Sequence, residues 1–267
     1  VLFERKRAKS AIEQGRRQLS RLASSLSFAV VLTTFAGAAQ AAAEEGWVIK
    51  QNSHAVGKTI VYLTPHAMKF VNVSDGAKVV MKAPDWRVYL FRENPKVCYT
   101  TPCNKFESHQ SEYINRWHGE EMTDLPWAAR GVTSVHGQDA VEYRRLGAHG
   151  EEYTNRGRQR DYIGVRDARY MVSRSIPITG EECRVLNNLF NTPNTHKYPL
   201  TLTFRDEEGL PTLELTLLGV EKKLLADTEF KTPGNEYKIV NDEREVFVSP
   251  SKQDAIDSMS KLLGTQD

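Results

Sequence analysis

Residues 198–237, YPLTLTFRDEEGLPTLELTLLGVEKKLLADTEFKTPGNEY, constrain the fold more than any other stretch of the chain. Leu200, Leu202 and Phe204 alternate with Thr201 and Thr203, and Leu213, Leu215 and Leu217 alternate with Glu214 and Thr216. This is the period-2 pattern of two strands, each with one apolar face. Between the arms, residues 205–211 hold Asp206, two glutamates, Gly209 and Pro211, which is turn chemistry and too polar to bury. Beyond the second arm come Lys222 and Lys223, then Phe230, Pro233, Gly234 and Tyr237, an extended segment punctuated by aromatics. A sheet with one apolar face needs a cover, and whether protein or ligand supplies it is the functional question.

Upstream, short strand-like segments recur at 47–51, 60–63, 68–73, 79–81, 88–91 and 97–100. Pro65-His66, Asp75-Gly76, Pro84-Asp85 and Asn94-Pro95 separate them as turns, the spacing of an antiparallel meander. From 105 to 127 the alternation stops, and Phe106, Tyr113 and Trp117 fall near helical spacing. Segments 131–143 and 162–172 resume strand patterns, with the charged stretch 144–161 as their connection. Thr179 and Glu182 form a capping-box pattern, which predicts a helix over 181–190 with Cys183, Val185, Leu186, Leu189 and Phe190 on one wide face. A last strand is expected at 240–248. A C-terminal helix should follow from Ser249 and Pro250, striped by Ala255, Ile256, Met259, Leu262 and Leu263 and stopped by Gly264. The fold class read from this order is α+β, a sheet-dominated single domain over 44–267 with short helices to cover the sheet.

Residues 1–43 have the three parts of an export signal. A basic region ends at Arg21, an apolar run centres on 26–35, and small residues follow at 39–43. The run is short for a bilayer span. Arg16 and Arg17 leave a twin-arginine route open beside the general secretory one. The predicted location is periplasmic or otherwise exported, soluble after cleavage between Ala41 and Glu44. The basic excess of the chain belongs to this segment: it holds seven Lys/Arg against two Asp/Glu, leaving 29 basic and 32 acidic residues, formally −3, in the remainder. A slightly acidic domain has no general electrostatic footprint for nucleic acid. In an oxidising compartment Cys98 and Cys103, separated by the turn-like Tyr-Thr-Thr-Pro, could close a small disulfide loop and leave Cys183 as a free thiol on the helix.

The seven histidines are scattered, with no HExxH and no pair at metal-ligand helical spacing; His118 with Glu120 and Glu121 is the nearest approach to a ligand set. There is no GxSxG elbow, Walker loop or dinucleotide fingerprint, and Asp139 with Glu142 is the only carboxylate pair singled out for acid–base work. The sequence therefore points away from an enzyme, a resident metal or a cofactor. What remains is apolar surface. Leu63, Met68, Phe70, Val88 and Leu90, with Leu202, Phe204, Leu213 and Leu215, are expected to share the concave face of a curved sheet. They form either an ordinary core or the lining of a cleft for an acyl chain.

The order of elements, together with the hairpin around its acidic Gly turn and the segment Phe230, Pro233, Gly234, Tyr237, resembles the periplasmic lipoprotein-localisation carrier superfamily of LolA-like, LolB-like and RseB-like proteins. The resemblance implies a curved antiparallel half-barrel closed by helices. It also implies a non-enzymatic role in binding a lipid or lipoprotein acyl chain, with a hydrophobic ligand or a lipidated protein as partner. An envelope structural or protein-interaction module, meeting an envelope protein through its surface, is the other expectation.

Overall fold

A computed structural model describes residues 43–108, 127–145, 165–206 and 209–247. The chain divides into two compact units, Val1–Ala42 and Ala43–Asp267, and the described residues belong to the second. They form one sheet of twelve strands. The first six run as a meander: β1 (Glu44–Ser53), β2 (Gly57–Thr64), β3 (Ala67–Asn72), β4 (Lys78–Lys82), β5 (Arg87–Glu93) and β6 (Lys96–Pro102). A second meander follows: β7 (Trp127–Val135), β8 (Gln138–Arg145), β9 (Val165–Ser173), β10 (Pro199–Asp206) and β11 (Pro211–Leu225). The strand order is β12-β6-β5-β4-β3-β2-β1-β11-β10-β9-β8-β7, with β12 (Lys238–Val240) parallel to β6 and every other pairing antiparallel.

The first strand therefore lies in the middle of the sheet, paired with β2 on one side and the long β11 on the other, from Glu44↔Leu225 to Ser53↔Leu215. The sheet is open and curved. Flat, twelve strands would extend about 50 Å, yet one contiguous buried cluster runs from Val240 on β12 to Val135 on β7. Register shifts at Lys50/Gln51, Ala129/Gly131 and Leu202/Thr203 supply local bends, since an extra residue in one strand increases its twist. Large twisted sheets curl for the same reason.

Helix α1 (Gly180–Phe190) packs on the inner face. Its start is set by the expected capping box: the Glu182 amide donates to Thr179 Oγ1 at 3.3 Å, and the Thr179 amide donates to Glu182 Oε2 at 2.9 Å. Asn191, in the left-handed conformation at φ 51°, ends it. Val185, Leu186, Leu189 and Phe190 are buried against the sheet, and the Phe190 ring meets Phe70 edge-on at 5.7 Å.

The outer face has its own smaller cluster of Val48, Ala67, Val80, Phe91, Cys98, Leu225 and Phe230. Residues 226–237 cross it as a strap. The strap begins with a 3-10 turn, Asp227–Phe230, that sinks Phe230 into the cluster, and Tyr237 packs edge-on against Phe91 at 5.6 Å. Ion pairs Lys82–Asp227 and Lys69–Glu229 flank it, and β12 then joins the sheet edge at β6. The aromatic segment that looked like a tail in the sequence is thus the outer cover of the first meander.

Three expectations are corrected. The last strand spans only Lys238–Val240, and a helical turn, α2 (Arg244–Phe247), replaces the rest of it; Arg92 donates to the Phe247 carbonyl at 3.0 Å and holds that turn against β5. The single segment read at 131–143 is two strands joined by a tight turn at His136-Gly137, both with positive φ, where histidine stands in the place more often taken by Asn. Cys98 and Cys103 do not pair. All three cysteines are free and buried. The residues between Cys98 and Cys103 are strand, not turn: Tyr99, Thr100 and Thr101 pair with Leu90, Tyr89 and Val88. Cys98 lies on β6 in the outer cluster, whereas Cys103 opens the 3-10 turn that follows the strand and lies in the inner cluster, so the two thiols are on opposite faces of the sheet. Tyr113, Trp117, the His118 group and the C-terminal helix lie outside the described residues; Lys105 ends a 3-10 turn, Cys103–Lys105, at the head of the expected helix.

Candidate functional site

The inner face brings together eight of the nine residues expected to share it. Leu63, Met68, Phe70, Val88, Leu90, Leu202, Phe204 and Leu215 belong to one buried cluster, none more than 4% exposed. The ninth, Leu213, is 59% exposed. A bulge accounts for it: Leu202 faces Leu215 but Thr203 faces Leu213, so Glu214 is the extra residue and the alternation of β11 inverts across it. Over most of the concavity, helix α1 is the cover, and sheet and helix side chains interlock with no space between Phe70 and Phe190 for a third partner.

Toward the start of β1 the cover gives way to a cavity of about 290 Å³. Its inner wall is a row across three neighbouring strands, because Leu63 on β2 and Lys222 on β11 both stand opposite Trp47. Thr64 and Pro65 close one end. The opposite wall is the loop between β9 and α1, through Ser175 and Pro177. Leu63 is buried at the floor, while Pro65, Ser175, Pro177 and Lys222 are exposed at the rim. At the mouth the Lys222 ammonium sits 5.7 Å from the centre of the Trp47 ring and pairs with Glu45, so a cation and an anion face each other beside an aromatic wall. Gly46 lets β1 approach this closely, since a Cβ there would lie 2.6 Å from both the Leu63 carbonyl oxygen and the Leu225 side chain.

The loop wall, residues 174–179, is held at both ends by side chains. Ser173 Oγ accepts from the amides of Ser175 (3.1 Å) and Ile176 (2.9 Å), and the Ile176 side chain is buried beneath. At the far end Glu182 Oε2 accepts from the Thr179 amide and hydroxyl, each at 2.9 Å. Glu182 is fully buried, and its other oxygen, Oε1, has no hydrogen-bond partner among the described residues. Burial pushes its carboxyl up to about 7, against the opposing effect of the two Thr179 hydrogen bonds; Glu181 and Glu44 add to the rise.

Deeper in the core, Gln51 and Tyr198 form a buried polar pair. The tyrosine hydroxyl donates to Gln51 Oε1 at 2.7 Å, and Gln51 Nε2 donates to the Pro199 carbonyl at 2.8 Å, which ties β1 to β10 across β11. Glu142, half of the carboxylate pair singled out for acid–base work, receives Arg144 Nε at 2.6 Å and Arg169 Nε at 3.0 Å. The Arg169 hydrogen bond, with that of Arg144, holds its carboxyl below the usual carboxylate range despite partial burial. It is an ion-paired carboxylate rather than a proton donor at neutral pH. Among the described residues no three of His, Cys, Asp and Glu are grouped to hold a metal ion.

Trp47, Ser175, Pro177 and Lys222 were not singled out for a site by the sequence. Trp47 read as the start of a strand and Lys222 as part of the tail; only the pairing of β1 with β11 sets them side by side.

No protein-family model matches the chain, and no curated protein matches it. Among solved structures the chain is similar to an uncharacterised conserved protein from Thermus thermophilus, at 10% identity and TM-score 0.41, over 75% of this chain and 91% of that one. It is similar to MucB at 11% identity and TM-score 0.37, over 76% of this chain, and spans 62% of MucB. A LolA superfamily protein from Nitrosomonas europaea is similar at 11% identity and TM-score 0.24, over 72% of this chain and 91% of that one. At these identities and TM-scores the likenesses are weak.

Proposed function

We propose that this protein is an exported, non-enzymatic binder of a hydrophobic ligand, a lipid or the acyl chain of a lipoprotein, taken up at the open end of the concave face. The observation that carries the reading is the cavity of about 290 Å³ with an apolar floor of Leu63 and Trp47, proline at both walls and a charged rim. Trp47, Leu63, Pro65 and Pro177 give the recess apolar walls, and Glu45, Thr64, Ser175 and Lys222 set polar groups around them, an arrangement that fits a small-molecule site. Each methylene buried there contributes about 0.8 kcal/mol, so even part of an acyl chain would be held measurably. Arrival at the envelope rests on residues 1–43 acting as a cleaved export signal, and the half-barrel of 44–267 would then work in the periplasm as a single domain.

The interlocking of α1 with the inner face favours a second reading, an envelope module whose core is filled and which meets a protein partner through its surface. Titration with N-phenyl-1-naphthylamine, an uncharged apolar fluorophore, separates the two. Saturable uptake that is abolished by Ser175→Trp, which fills the cavity from its exposed wall, supports the ligand site. Absence of uptake by the unmodified protein, or equal uptake by Ser175→Trp, favours the interaction module.

A further inference from the structure

The loop that walls the cavity is fastened by two side chains of different chemistry. Ser173 at one end cannot titrate near neutral pH. Glu182 at the other can, and one of its oxygens accepts from both the amide and the hydroxyl of Thr179. We propose that Glu182 is a proton-operated clamp on the cavity: protonated, it keeps residues 177–179 folded over a bound apolar ligand, and ionised, it lets that end of the loop swing away and the ligand leave. The proposal rests on the ligand-binding reading above and adds its regulation.

The physical argument starts from the cost of a charge at a fully buried site. An ionised Glu182 gains strength in its two hydrogen bonds from Thr179, but Oε1 accepts from none of the described residues, and the side chain is fully buried. The charged groups around it do not help. Glu181 on its own helix and Glu44 at the head of β1 are both acidic and both disfavour the charge. Cys183, on the same helix, and Cys103, whose thiol donates to the Glu181 carbonyl at 3.5 Å from the 3-10 turn, are neutral thiols held up by burial. Arg184, further along the helix, is exposed and acts on Cys103. His66 faces Glu44 at 3.7 Å rather than Glu182. The available relief is rotation of the carboxylate toward water, and that movement gives up both Thr179 bonds at once. The end of the loop and the first turn of α1 are then released together, and Pro177 goes with them, while Ser173 Oγ keeps Ser175 and Ile176 in place.

Two measurements on the protein, Glu182→Gln and Glu44→Gln test this between about pH 5.5 and about 8.5, a window that brackets the transition. The first is amide hydrogen exchange of residues 178–182, corrected for the intrinsic effect of pH. The second is the affinity for N-phenyl-1-naphthylamine, which carries no charge in this window. The clamp requires faster exchange and at least about fivefold weaker binding above the transition. In Glu182→Gln, where the amide oxygen keeps accepting from Thr179, both should stay at their low-pH values, and Glu44→Gln should move the transition to lower pH, because removing a neighbouring negative charge eases ionisation of Glu182. Exchange that ignores pH in the unmodified protein, or a Glu182→Gln variant that keeps the full pH dependence, overturns the clamp. Loop exchange that follows Glu182 in a protein that never takes up the fluorophore supports the clamp and refutes the ligand reading. Uptake that is equal at every pH supports the ligand reading and overturns the clamp.

Discussion

Leu213 and Leu215 stand two residues apart on one strand and point to opposite faces of the sheet, the first 59% exposed and the second fully buried. The bulge at Glu214 is the cause, and it makes a sharp mutational contrast. Leu215→Asp places a charge in the inner cluster and should cost more than about 4 kcal/mol, enough to unfold a marginal domain. Leu213→Asp should change stability by no more than about 0.5 kcal/mol. Urea unfolding of both variants checks the register directly, and similar losses at the two positions would mean that the bulge lies elsewhere.

Glu182 should imprint itself on the pH dependence of global stability. Its carboxyl holds a proton more tightly in the folded chain, at about 7, than at its ordinary 4.5. The stabilisation it contributes is therefore complete below the ordinary value and drains away as pH rises through about 7. The full loss is on the order of 3 kcal/mol. Glu182→Gln should flatten this part of the profile, so that the unmodified protein loses more stability than the variant between pH 5 and about 8. Denaturation at a series of pH values checks it; parallel profiles would exclude a titrating Glu182.

Tyr198→Phe should destabilise the domain by about 1–3 kcal/mol, because it leaves the buried Gln51 acceptor without its donor. Adding Gln51→Leu should not restore it, since the leucine also withdraws the donor to the buried Pro199 carbonyl. Chemical denaturation of the two single variants and the double variant gives the coupling.

Thiol counting distinguishes the free cysteines from a 98–103 bridge. Burial pushes the Cys98 thiol up to about 11 and raises those of Cys103 and Cys183 as well. The folded protein should react slowly with a disulfide reagent at neutral pH, and the denatured, unreduced protein should release all three thiols. Release of one thiol would mean that the bridge forms.

Much of the local structure could be read from the chain because its signals are local. The capping box at Thr179 and Glu182 placed the start of α1 to within a residue, and strand alternation located the first six strands. What was hidden depends on residues far apart. The inward face of β10 was legible from Leu202 and Phe204, whereas the single extra residue at Glu214 reversed Leu213 without changing the alternating pattern. Cys98 and Cys103 were misread because Thr-Thr-Pro suggests a turn, although Thr also favours strands and Pro102 sits at the strand's end. The buried inner face was visible as a set of residues, and of that set Leu63 lines the cavity. The cavity itself was not, because Trp47 and Lys222 become neighbours only through a pairing that joins opposite ends of the sequence.

That same pairing governs the order in which the chain can mature. β1 through β6 are hairpin-linked and can collapse through contacts close in sequence, but the inner edge of this meander stays unpaired until β11 reaches it across some of the longest chain separations in the molecule. Loop closure over such distances is slow, so docking of the second meander onto β1 is the step that should limit the folding rate. Until then the exposed edge of β1 is a template for other chains, and the folding intermediate, rather than the finished protein, is where aggregation would begin.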